Sequence, residues 1–81
     1  MKFIKPLILE NDRAELNLKI RDLKDKWRET DDKIDEIKKK IRNEKNPVKE
    51  EILVLTLQKL AAKQEMLKVD MKIVKIKRNM L

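Results

Sequence analysis

The sequence predicts an all-α fold: a long antiparallel two-helix hairpin, coiled-coil-like, that associates into a helical bundle or a larger oligomer. Three observations lead there. The 81 residues contain no glycine and only two prolines, and they are rich in the good helix formers Lys, Leu, Glu and Met. One of those prolines follows an asparagine near mid-chain, Asn46-Pro47, and that pair suits a helix N-cap and first helical position. On both sides of it, apolar residues recur at alternating steps of four and three.

Residues 1–11 read as a separate apolar segment. Phe3, Ile4, Leu7, Ile8 and Leu9 are too apolar for a solvated tail, and Pro6 is expected to interrupt a helix there. The segment is expected to lie over the bundle end, with a hook for a partner as the alternative. Residues 12–81 form the hairpin. Asp12-Arg13-Ala14-Glu15 fits a capping box, so helix one is placed at about 13–44, where Lys38, Lys39, Lys40 and Arg42 suit a helix C-terminus. A turn at 45–46 leads into helix two at about 47–79, whose first turn holds Glu50 and Glu51.

Helix one has a single apolar seam: Leu16, Ile20, Leu23, Trp27, Thr30, Ile34, Ile37 and Ile41. Helix two has two. One stripe reads Leu53, Leu57, Leu60, Gln64, Leu67, Met71, Val74, Arg78 and Leu81. The other reads Ile52, Leu55, Lys59, Ala62, Met66, Val69, Ile73, Ile76 and Met80. At about 100° per residue the stripes lie on nearly opposite sides of the helix, so helix one covers only one of them. Either stripe can serve: the Ile52 stripe would pair Thr30 with Ala62 and Trp27 with Met66, whereas the preferred partner, the Leu53 stripe, pairs Ile41 with Leu53, Ile34 with Leu60, Trp27 with Leu67 and Ile20 with Val74. In that register Thr30 and Gln64 meet and satisfy one another. The Ile52 stripe (Ile52, Leu55, Ala62, Met66, Val69, Ile73, Ile76 and Met80) is then left for another chain, because monomers rarely expose so long an apolar strip.

The absences exclude several chemistries. Without Cys or His there is no zinc finger, disulfide framework, haem site or thiol or imidazole catalyst. Without Gly there is no glycine-rich phosphate loop. Asp31, Asp32, Asp35 and Glu36 lie among Lys33, Lys38 and Lys39 and read as a solvated helix face rather than a metal site. Trp27 falls on the seam and reads as core. No enzyme activity, cofactor, metal or small-molecule substrate is expected. No apolar run, neither Leu7-Ile8-Leu9 nor Ile52-Leu53-Val54-Leu55, approaches the ~18 residues of a membrane span; with no secretory pattern at the start, the default expectation is a cytoplasmic protein.

The leading functional expectation is a structural or assembly protein, joined through helix two to itself or to another helical protein. The alternative comes from the net charge of +7. Lys38, Lys39, Lys40, Arg42, Lys45 and Lys49 cluster around the turn, and Lys68, Lys72, Lys75, Lys77 and Arg78 near the C-terminus. Either cluster could bind phosphates through counterion release, and the turn cluster supplies the candidate contacts of a basic hairpin dimer binding RNA or DNA. Such a dimer would be similar in design to the small RNA-binding hairpins of the Rop type, although no motif is shared. A further likeness rests on the Asn46-Pro47 turn and a Leu57-Gln58…Val74-Lys75 pattern. It covers residues 46–77 and resembles type III secretion needle subunits, which implies polymerisation with the second helix buried. A second proline in the turn, aromatic residues in helix two and a longer C-terminal tail are missing.

Overall fold

The computed structural model describes the backbone of residues 5–80 and the side chains of residues 12–80. Two helices make up the fold: α1, Lys5–Asn43, and α2, Pro47–Met80. They pack antiparallel along their length, giving a rod of 66 × 14 × 13 Å.

Helix α1 begins well before residue 13, which corrects the expected start. Pro6 is the second residue of the helix, where its missing N–H removes no intrahelical bond. Proline at that position is compatible with a helix rather than a break. Asp12 consequently lies inside α1, and Asp12–Glu15 is not its cap. Phe3 and Ile4 lie outside the described residues, as do the side chains of Leu7, Ile8 and Leu9.

The turn, residues 44–46, is built locally. Asn46 Oδ1 accepts from the amides of Val48 (2.9 Å) and Lys49 (3.3 Å), and its carbonyl receives the Glu50 amide at 2.9 Å. This is N-capping by Asn with Pro at the first helical position, worth ~1 kcal/mol relative to alanine. On the other side, the Glu44 amide donates to the Ile41 carbonyl at 3.3 Å and closes α1 with a tightened last turn. Glu44 Oε1 accepts from the Asn46 amide at 3.1 Å.

The seam between the helices is thin. Ile20, Ile34 and Leu67 are its buried apolar side chains, with Thr30 buried beside them. Leu16, Leu23, Trp27, Ile37 and Ile41 of α1 are half-buried, as are Leu53, Leu57, Leu60, Gln64, Met71, Val74 and Arg78 of α2. Leu81 lies outside the described residues.

Two hydrogen bonds fix the register. Gln64 Nε2 donates to Asp31 Oδ1 at 3.0 Å, and Arg78 donates to Asn17 Oδ1 at 3.2 Å. They join residues 33 and 61 positions apart, both centred on the Pro47–Val48 peptide. That centre lies half a residue beyond the one expected from the Thr30–Gln64 pairing. The expected Thr30–Gln64 bond is not made. Thr30 Oγ1 donates to the Lys26 carbonyl one turn back at 2.8 Å, which satisfies the hydroxyl within its own helix. Gln64 reaches past it to a carboxylate, a stronger acceptor.

Candidate association surface and basic grooves

Every residue of the Ile52 stripe is exposed. Ile52, Leu55, Met66, Ile76 and Met80 each keep more than half of their surface in water, and Val69 and Ile73 keep almost half. The cause is geometric. The stripe faces away from α1, and two helices enclose only the surface between them. Ala62 continues the apolar line and Lys59 interrupts it, exposed.

Val48 extends the stripe by one step of four residues towards the turn and is 65% exposed. It was not among the expected interface residues, although its spacing from Ile52 and Leu55 is the same heptad rhythm. By contrast, the outer side of α1 shows only Leu18 as a large exposed apolar residue among the described positions. Exposed apolar surface is therefore concentrated on α2. Ordered spacing over the whole helix distinguishes it from the scattered surface apolar residues of ordinary proteins.

The basic residues expected at the turn are all exposed. The structure brings Lys39 and Lys40 of α1 and Lys49 of α2 around one groove, together with Asn43, Glu44, Ile52 and Leu53. Lys38, Arg42 and Lys45 do not line it. The Glu44 carboxylate, already bonded to the turn backbone, offsets part of the positive charge there.

A second groove was not legible in the sequence. Lys24 and Arg28 of α1 meet Lys68, Lys72 and Lys75 of α2 around Trp27 and Met71. It contains five cations and no carboxylate. The reason is helical periodicity across two elements. Lys24 and Arg28 flank Trp27 on one side of α1, while Lys68, Lys72 and Lys75 share the adjoining side of α2. The antiparallel register places them level with one another. Half-buried Trp27 thus serves the seam while also lining the groove.

Among the described residues, no helix is long and apolar enough to cross a membrane. Comparison of the chain with protein-family models, curated proteins and solved structures finds no match.

Proposed function

We propose that this protein is a non-catalytic assembly element, a helical hairpin that joins chains through the outer face of α2. The observation that carries this reading is the apolar stripe running from Val48 to Met80, left in water on the side away from α1. Burying half-exposed Ile, Leu, Val and Met side chains is favourable at about 25 cal/mol per Å². A two-helix seam with so few buried residues is marginal against the entropy of ordering the chain. Association supplies the missing burial while leaving the charged side of α1 in water.

Solution mass measured by sedimentation across micromolar concentrations tests this reading. The expected result is a mass above that of one chain, with a thermal midpoint that rises with protein concentration. A cooperatively melting single chain throughout that range would overturn it.

A second reading is favoured by one specific observation, the five-cation groove beside Trp27. It is suited to a polyanion such as single-stranded RNA or DNA, with phosphates on the cations and the indole edge available to a base. If all five cations engage phosphates, log K should fall with log salt at a slope of about −3.5. Lys68→Glu with Lys75→Glu should remove most of that binding. No polynucleotide binding at low salt would eliminate this reading without touching the first.

A further inference from the structure

We propose that the occupant of the α2 face is a second copy of this chain, with its α2 antiparallel and the two-fold axis passing between Met66 and Val69, level with the Leu67–Lys68 peptide. This rests on the association reading and deepens it by naming the partner and its register.

The stripe keeps heptad spacing from Val48 to Met80 with Lys59 as its one charged member, so the charges flanking it select the partner and its orientation. On one flank stand Glu51, Gln58, Glu65, Lys72 and Asn79; on the other stand Lys49, Thr56, Lys63, Asp70 and Lys77. Glu65, Lys72, Lys63 and Asp70 are all exposed in the single hairpin. A parallel pairing brings opposite flanks together five residues apart. It sets Glu65 against the partner's Asp70 and Lys72 against the partner's Lys77, and within α2 it makes no pair of opposite charge. Parallel self-pairing is disfavoured.

Antiparallel pairing brings like flanks together, and its register decides the charges. With the axis level with the Leu67–Lys68 peptide, Glu65 meets the partner's Lys72 and Lys63 meets the partner's Asp70. Symmetry makes each attraction twice. The apolar layers then join Met66 to the partner's Val69 and Ala62 to the partner's Ile73, a small residue opposite a large one. Lys59 falls opposite the partner's Ile76, near the end of the overlap where its ammonium reaches water.

The neighbouring registers are worse. Moving the axis half a heptad towards the turn opposes Glu65 to its own copy and Lys63 to its own copy. Moving it half a heptad the other way does the same to Lys72 and Asp70. A full heptad towards the turn restores favourable charges, pairing Glu51 with the partner's Lys72. That register, however, places both Lys59 side chains against Ala62 beside the axis, two ammonium groups in the middle of an apolar contact.

Charge reversal in the full-length chain tests the register, with dissociation constants measured by sedimentation at low salt. Lys72→Glu opposes Glu65 twice and should weaken self-association by about tenfold, even though it lowers the net positive charge that the two copies must bring together. Glu65→Lys with Lys72→Glu restores both attractions at the wild-type net charge and should recover the original constant to within about threefold. Tighter association of Lys72→Glu, the outcome of parallel pairing with Lys77, would overturn the proposal. So would failure of the double variant to recover. Those results leave the α2 face intact as the interface if Ile73→Glu still abolishes association. A wild-type chain that stays single, or an Ile73→Glu chain that associates normally, overturns the association reading itself.

Discussion

Replacing Ile73 by glutamate is expected to reduce the assembly to single hairpins that stay helical at low temperature and melt at a lower midpoint than the assembly. Ile73 lies towards the C-terminal half of the exposed stripe, 45% exposed in one chain and directed away from α1. Within a hairpin the new carboxylate remains in water and costs little. Between chains it would be enclosed in an apolar layer without a partner charge, at a cost of several kcal/mol. An association constant should therefore fall by about a thousandfold, since each 1.4 kcal/mol is a factor of about ten. Sedimentation should show the single-chain mass at concentrations where the wild type is associated, while circular dichroism shows retained helix. Val69→Glu should behave alike. Leu18→Glu is the informative control, because Leu18 is 57% exposed on α1 and its loss should leave the mass unchanged.

The opposite behaviour is expected of Leu67→Ala. Leu67 is the buried residue of α2, one of three buried apolar side chains on which the seam depends. Truncating a buried leucine costs about 2–5 kcal/mol, depending on how far the site collapses around the cavity. For a chain of this size, each kcal/mol lowers the thermal midpoint by roughly 4–8 °C. A fall of about 15 °C or more is expected, read by thermal circular dichroism in the Ile73→Glu background so that only the intrachain seam is reported. A change of a few degrees would mean that the seam is more plastic than its burial indicates. Val69→Ala in the same Ile73→Glu background should shift the midpoint much less, because Val69 lies on the exposed stripe and contributes little to the seam.

The features legible in the sequence are those fixed by one helix at a time. The Asn46-Pro47 cap involves atoms only a few positions apart, and the two stripes of α2 follow from spacing alone. Where two local signals agreed on the wrong boundary, the reading failed. Pro6 and the Asp12–Glu15 box both marked a helix start near residue 13, yet α1 begins at Lys5, and proline's compatibility with a first turn resolves the conflict. Features that depend on register were less accessible. The Asp31–Gln64 bond replaced the expected Thr30–Gln64 layer, because the Thr30 hydroxyl is satisfied by the Lys26 carbonyl of its own helix and the neighbouring carboxylate is the stronger acceptor for Gln64. The Trp27 groove needed the same register before Lys24 and Arg28 could be placed beside Lys68, Lys72 and Lys75. Spacing could identify the free stripe of α2, but Val48 shows that its length was underestimated.

The thin seam also determines how such a molecule opens. Among the described residues the two helices pack on each other, and the turn ties them at one end while Asp12, Glu15, Leu16 and Asn17 meet Lys77, Arg78 and Met80 at the other. Each layer of contacts depends on its immediate neighbours, so the hairpin behaves as a nearly one-dimensional chain of linked layers. Opening then begins at the untied end and advances towards Asn46, with no global cooperativity needed for the first steps. Amide protons near Asn17 and Arg78 are expected to exchange with solvent through shallow fraying, and those around Ile34 and Leu60 only through deeper unzipping, which hydrogen exchange would measure. The molecule is a graded fastener, loosest at the end remote from its turn.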